Sequence, residues 1–295
     1  MTRHLFLAVE TGGTKILARI ADADGATVAT LHRPTTTPDD AATSIAALVD
    51  QHVGGNDVLV AGAIAAFGPI IVDPAHPDHG SLLDTPKPGW GRTNLRAMLS
   101  DRLGIPIAVD TDVNMAAIAE QRLGAGHGLD PIAYVTVGTG IGGGLVTGGA
   151  ALHGVLHPEV GHLPVLRSAD DSAPCVCPFH ANCVEGLAAG PAIAARIGAG
   201  RDLKDFPADV AVIGGYLGQL AAALVLAWSP RRIIWGGGLM RTPGLLDALR
   251  NGLARTLNGY VAGPASDDPD FCVAAMLDDA GLDGAMLVAR ALART

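Results

Sequence analysis

A chain of 295 residues, at roughly 150 per domain, has room for two domains and excludes a peptide hormone or a disulfide-stapled mini-scaffold. With 49% apolar and only 17% charged residues, it cannot be held disordered by charge repulsion, and a heavily buried protein is expected. The formal charge of −9 repels phosphodiester backbones and anionic membranes, so neither nucleic acid nor a membrane is expected as a partner.

The apolar run after Arg3 stops at Glu10, without the length or small-residue cleavage site of a secretory leader, which predicts a cytoplasmic protein. Residues 5–9 read as a strand that ends at Glu10-Thr-Gly-Gly-Thr-Lys15. Residues 16–20 and 27–31 then flank a turn at Asp24-Gly25, as antiparallel strands do. Thr37 can cap a helix whose apolar stripe holds Ile45, Leu48 and Val49, and residues 58–65 read as a buried strand. Thr93 precedes a second helix with Leu95, Met98 and Leu99 on one face, and residues 107–109 make the next strand. Alternating strands and helices predict a layered α/β fold.

The second half repeats this grammar: residues 133–137 lead into Gly138-Thr-Gly-Ile-Gly-Gly-Gly144 and a further strand at 145–147. An irregular segment spans 152–185, in which His153 and His157 read as solvated loop. Long helical stretches follow, then a strand at 233–235 ending in Gly236-Gly-Gly238. A helix carrying Leu245, Leu246, Leu249 and Leu253, a strand at 271–275 and a final helix near 284–293 complete the chain. Residues 210–228 carry no charge and are long enough to span a bilayer, but three glycines, Gln219 and many alanines favour a buried helix. The boundary is placed near Glu120, giving a smaller N-terminal α/β domain over 1–119 and a larger one over 120–283, with the last helix, about 284–295, crossing back to the first.

Both glycine turns offer bare backbone N–H groups and a hydroxyl, which suits phosphate oxygens; an ordinary hairpin turn is the alternative for either alone. Neither matches the P-loop spacing, and neither opens a helix as a dinucleotide fingerprint does. Asp110-Thr-Asp112-Val-Asn114 follows a strand and enters a helix. A carboxylate there can take a proton from an attacking hydroxyl, or merely cap the helix. His157-Pro-Glu159-Val-Gly-His162 and Cys175-Val-Cys177-Pro-Phe-His180-Ala-Asn-Cys183 pack imidazoles and thiols at tight spacing. Tetrahedral zinc needs four of them: His162, Cys177 and Cys183, with either His180 or Cys175. A fully protein-ligated zinc is structural, and Cys272, in a strand pattern, reads as core. Between Gly62 and Trp90, Gly68-Pro69 and Thr85-Pro-Lys-Pro-Gly-Trp90 form a rigid loop compatible with a pocket wall.

In this order and over essentially the whole chain, these motifs resemble the ROK family of sugar kinases, within the hexokinase and actin superfamily. The resemblance implies a two-domain actin/hexokinase-like (ribonuclease H-like) α/β fold with an interdomain cleft, and ATP-dependent phosphorylation of a hexose with Mg²⁺ and structural Zn²⁺. It implies Asp112 as the base, with Gly12, Gly13, Thr14, Lys15, Thr139, Gly140, Gly237 and Gly238 around the nucleotide. Glu159, His162, Glu185, Gly68 and Thr111 would serve the sugar. Glu10 replaces the family's usual Asp, Asp110 stands where many relatives have Glu, and Thr111 where many have a sugar-binding Asn. The Cys-Pro-x-His-x-x-Cys arrangement resembles the fructokinase-like members, which favours His162, Cys177, His180 and Cys183 as zinc ligands. Together with Thr-Pro-Lys-Pro-Gly-Trp it tilts the sugar toward fructose, phosphorylated at C6, over glucose, mannose or an N-acetylated amino sugar. A sugar-binding regulator is the rival from another class, disfavoured because the first turn begins too early to leave room for a DNA-binding domain. Relatives are often homodimers.

Overall fold

The computed structural model describes residues 2–85, 87–260 and 268–294; Pro86 of the Thr-Pro-Lys-Pro-Gly-Trp segment and Thr295 of the expected C-terminal helix lie outside the described residues. The chain divides into two compact units, one made of Met1–Ala119, His153–His157 and Asp279–Thr295, the other of Glu120–Leu152 and Pro158–Asp278.

In the first unit, β1 (Arg3–Thr11), β2 (Lys15–Asp22), β3 (Thr27–Pro34), β4 (Asp57–Ala66) and β5 (Ile107–Thr111) form one sheet in the order β3-β2-β1-β4-β5. β1, β2 and β3 meander antiparallel, while β4 and β5 join β1 in parallel. The period of two along β1 sorts its side chains: Leu5, Leu7 and Val9 enter one core cluster, whereas Phe6 and Ala8 enter another on the opposite face. Helices α1 (Pro38–His52) and α2 (Leu95–Leu103) contribute Ile45, Leu48 and Leu99 to the first face. The opposite face is covered by Met115 of α3 (Asp112–Leu123) and by Leu282, Ala285 and Met286 of the C-terminal helix (Ala280–Leu292).

Thr37 caps α1, its hydroxyl oxygen accepting from Asp40 N–H at 3.2 Å. α2 is capped by Asn94, whose side-chain oxygen accepts from Ala97 N–H at 2.9 Å, while Thr93 turns back to donate to the Trp90 carbonyl. The C-terminal helix starts four residues earlier than its apolar pattern predicts, because the Glu10 carboxylate accepts from Leu282 N–H and supplies a cap from outside the local sequence.

In the second unit, β6 (Ile132–Val137), β7 (Ile141–Thr147), β8 (Ala150–Ala151), β9 (Ile233–Gly236) and β10 (Cys272–Ala274) are ordered β10-β9-β6-β7-β8. β6 and β7 form an antiparallel hairpin, and β9 and β10 add in parallel. Behind this sheet lie α4 (Val184–Ala188), α5 (Gly190–Ile197), α6 (Pro207–Trp228) and α7 (Leu245–Leu257). The long apolar stretch is α6, which places Ile213, Leu217, Leu220 and Leu224 in the core. Its glycines have a packing role: a Cβ on Gly218 would lie 2.5 Å from Gly252 of α7, so the two backbones meet without side chains between them. Cys272 is buried in the same core.

Candidate active site

Strand register places the first-unit candidates. Thr11 lies opposite Ala66 and Ala66 opposite Thr111 across three parallel strands. The turn after Thr11 and the residue after Thr111 therefore leave the same sheet edge, two strand spacings or about 10 Å apart. In that turn Gly12 N–H closes on the Lys15 carbonyl at 2.8 Å, and Thr35 donates its hydroxyl to the Gly12 carbonyl at 2.7 Å. Gly12 thus spends its amide on the turn itself. The amides of Gly13 and Thr14 have no acceptor among the described residues, and a Cβ at Gly13 would meet open space. Lys87 Nζ donates to the Gly13 carbonyl, which brings the motif at 85–90 onto the turn.

Asp112 is the first residue of α3, and its Oδ1 accepts from Val113 N–H at 2.9 Å. Capping falls to Thr111 instead: its hydroxyl oxygen accepts from Asn114 N–H at 3.0 Å. Thr111, expected at the sugar, is buried at 5% exposure and serves the helix. The expectation that His153 and His157 are solvated loop is incorrect for His157, which is buried, whereas His153 is an exposed loop residue that nonetheless meets a buried partner. His153 Nε2 lies 2.9 Å from Asp110 Oδ2, and His157, itself buried, accepts from Ile70 N–H at 3.3 Å through Nε2. Buried carboxylate and amide groups on unrelated segments found them as partners, which no local pattern signals. The His157 ring also lies against Gly68, where a Cβ would come to 3.3 Å of it. Glu10 sits behind the first turn, where burial pushes its carboxyl above the ordinary range and Lys15 opposes that rise.

The second unit carries the other turn. Gly138 N–H closes on the Gly140 carbonyl at 2.9 Å, and the amides of Thr139 and Gly140 have no acceptor among the described residues. Ile141 N–H donates to Glu185 Oε2 at 2.8 Å. A Cβ on Gly140 would stand 2.8 Å from that same oxygen, so glycine makes room for the carboxylate. On the neighbouring strand Gly236 lies opposite Thr136, which brings Gly237 and Gly238 to the same edge as the turn. Gly237 adopts φ +89° and lies so close to Val137 that any side chain would clash.

Next to this turn the structure gathers four metal-ligating groups. One donor atom each from His162, Cys177, His180 and Cys183 lies within 4.8 Å of all the others. Cys177 Sγ is 3.4 Å from His180 Nδ1 and 3.8 Å from His162 Nδ1, and Cys183 Sγ is 3.8 Å from His162 Nδ1. Tetrahedral zinc with ordinary Zn–N and Zn–S bonds needs ligand edges of about 3.3–3.8 Å, so the donor set fits that ion. Cys175, the other sequence candidate, instead sends its thiol to the His180 carbonyl at 3.1 Å. Burial pushes the Cys183 thiol up to about 12, with Cys177 adding to the rise against a donor bond from Gly186. A bound cation reverses that cost by favouring thiolates.

The cluster is built into the surrounding elements. Cys183 is the N-cap of α4, its sulfur accepting from Gly186 N–H, and Glu185 stands in the first turn of that helix. His162 ends the 3-10 turn Val160–His162, which lies so close to β7 that a Cβ at Gly161 would overlap the Ile141 carbonyl. With Nδ1 facing the sulfurs, His162 turns Nε2 to within 3.8 Å of Glu185 Oε1. Glu159 precedes the turn, its carbonyl accepting from His162 N–H at 3.1 Å.

Two mixed sheets, each with an antiparallel hairpin whose glycine tip shares an edge with further parallel strands, define an α/β protein of the two-domain actin/hexokinase-like class. The chain belongs to the ROK family, whose model matches residues 6–292. It is 35% identical over 294 residues to a fructokinase of Zymomonas mobilis subsp. mobilis, covering 98% of this chain and 97% of that one. Among solved structures, a ROK hexokinase from Thermus thermophilus superposes with a TM-score of 0.78 at 29% identity, covering 98% and 99% of the two chains. A ROK family glucokinase from Streptomyces griseus, in complex with glucose and AMPPNP, gives 0.74 at 28% identity, covering 97% and 99%.

Proposed function

We propose that this chain is a cytoplasmic kinase that transfers the terminal phosphoryl group of ATP, with Mg²⁺, to the C6 hydroxyl of a hexose, fructose foremost. The observation that carries this reading is the shared sheet edge of the first unit, where the register of Thr11, Ala66 and Thr111 puts Asp112 beside a turn with two unspent amides. Phosphoryl transfer asks for positioning and charge neutralisation rather than covalent chemistry. Asp112 takes the proton as the sugar oxygen forms its bond to phosphorus and the bond to the departing ADP breaks. In the first unit the amides of Gly13 and Thr14 are assigned to phosphate oxygens, with Lys15 nearby and Gly12 shaping the turn. In the second unit Thr139 and Gly140 are assigned to the phosphates and Gly237 and Gly238 to the nucleoside. Glu159, His162 and Glu185 are assigned to sugar hydroxyls, with Gly68 at the pocket wall. Zn²⁺ on His162, Cys177, His180 and Cys183 is structural, because four protein ligands leave no open position for substrate.

Fructose is favoured by the named fructokinase at 35% identity and by the Cys177-Pro-Phe-His180-Ala-Asn-Cys183 pattern. Glucose is the second reading, on the likeness to the Streptomyces griseus glucokinase. A coupled ADP-release assay over fructose, glucose, mannose and N-acetylated amino sugars tests both, with the highest kcat/KM expected for fructose. Asp112→Ala should lower kcat about 10²- to 10⁴-fold while calorimetry still detects sugar binding. A variant that keeps most of its kcat rejects Asp112 as the base.

A further inference from the structure

The pentapeptide His153–His157 is the only part of the irregular segment at 152–185 that belongs to the first unit. Its two end histidines anchor it. His157 takes the Ile70 amide beside Gly68 and Pro69, and His153 reaches the end of β5. There the Asp110 carboxylate, 6% exposed, is met from three sides: Oδ1 accepts from Thr111 N–H at 2.7 Å and from Asn114 Nδ2 at 2.8 Å, and Oδ2 faces His153 Nε2 at 2.9 Å. A carboxylate only accepts, so the proton of His153 lies on Nε2. The 3.3 Å approach of Asn114 Nδ2 to that nitrogen is then a contact of two donors, both held by Asp110. His157 must carry its proton on Nδ1, the opposite tautomer, because its Nε2 accepts from a backbone amide.

We propose that His153 is a positioning residue for phosphoryl transfer: by donating to Asp110 it holds the turn Asp110–Asn114 in the conformation that aims the Asp112 carboxylate. The inference rests on Asp112 being the base. Asp110 bonds both the amide of the next residue and the side chain of Asn114, so its orientation sets the Asp110–Thr111 peptide plane and ties it to the first turn of α3, which Asp112 begins. His153 is the donor that fixes the other carboxylate oxygen and prevents rotation about the Cβ–Cγ bond. The charged and titratable groups around this pair are Asp110 itself, then His79, which feels both members, with Arg96 and Asp73 acting on His79. The hydrogen bond to Asp110 raises the His153 imidazole above the ordinary range against the opposing cost of burial.

Two variants and one spectrum test the proposal. His153→Ala should lower kcat about 10- to 100-fold with KM for sugar and for ATP within twofold of the parent, since a small misplacement of the base costs turnover and not binding. His153→Gln, whose Nε2 can still donate to Asp110, should recover most of that loss. Nitrogen-15 NMR of histidine-labelled protein should show the His153 and His157 resonances in opposite tautomers, and Asp110→Asn should return the His153 titration to the ordinary range. Unchanged kcat in His153→Ala, a rise in KM at constant kcat, equal impairment of both variants, or matching tautomers in the spectrum each overturn the proposal. The spectrum needs no turnover, so an absence of kinase activity in the parent rejects the Asp112 reading while the tie from His153 to Asp110 is still judged by its resonances.

Discussion

At the first hairpin Gly12 closes on Lys15, Thr35 binds the Gly12 carbonyl and Lys87 binds that of Gly13; at the second, Gly138 closes on Gly140 and a carboxylate, Glu185, holds Ile141. The tips are alike, each leaving two consecutive amides unspent. Their braces are not. The first turn is held by groups from its own sheet and neighbouring loops, whereas the second is held through a helix whose N-cap, Cys183, also belongs to the cluster of four donors that could hold a metal ion. One tip is therefore set by chain folding alone, and the other through a helix that a cation on the four donors would hold.

Removing the metal should break this comparison most severely. Cys183→Ser, or chelation of the parent, should abolish a content of about one Zn per chain and cost about 4 kcal/mol, since loss of a structural metal belongs with the largest single-site effects. That corresponds to a fall in Tm of roughly 8–16 °C for units of this size. Hydrogen exchange should then show residues 138–141 losing protection while residues 12–15 keep theirs. Equal loosening of both tips would mean that the ion does not brace the second turn selectively. Glu185→Gln isolates the carboxylate with all four metal-ligating residues kept, and activity should fall about 10- to 100-fold with zinc retained.

A smaller effect separates the tips by space. A Cβ at Gly140 meets Glu185 Oε2 at 2.8 Å, but a Cβ at Gly13 meets nothing within 4 Å. Gly140→Ala should therefore push the carboxylate away and lower both kcat and Tm. Gly13→Ala should leave Tm within about 1 °C and raise KM for ATP several-fold, because only a ligand would notice the added methyl. A Gly13→Ala variant with unaltered nucleotide kinetics would remove that amide from the phosphate site.

Much of this was legible in the sequence where the pattern is local. The run Gly138-Thr-Gly-Ile-Gly-Gly-Gly144 after an apolar strand advertises a tight hairpin, in which Gly140 and Gly143 leave no room for a side chain, and alternation along β1 sorts Leu5, Phe6, Leu7 and Ala8 onto their faces. The four clustered donors were also legible, since thiols and imidazoles at that spacing have few other uses. What stayed hidden were long-range satisfactions of buried polar groups. His153 and His157 sit in a stretch with no period, and their partners Asp110 and Ile70 lie far away in the chain. Thr111, assigned to the sugar by analogy, also accepts the Asn114 amide on its hydroxyl oxygen, a capping role that the sequence offered equally to Asp112. The early start of the C-terminal helix has the same cause, a cap lent by Glu10.

Glu10 gives the smallest test and sharpens the comparison, for when the two hairpins are aligned on Gly12 and Gly138 its counterpart is Thr136, which has no charge. Burial raises the Glu10 carboxyl above its unfolded value, with Lys15 and the bond from Leu282 N–H opposing the rise. The folded chain then binds this proton more tightly than the unfolded chain does. Its contribution is fully present below the ordinary glutamate range and is lost as pH climbs through the raised folded value. Glu10→Gln removes the charge that burial disfavours while keeping an oxygen for the Leu282 amide, so Tm should rise by about 1–3 °C near pH 7 and stay unchanged near about pH 4. A fall in Tm near neutrality would reverse the balance: the field of the helix N-terminus on a charged Glu10 would then outweigh its desolvation, and the first hairpin, like the second, would lean on a fixed ionic group.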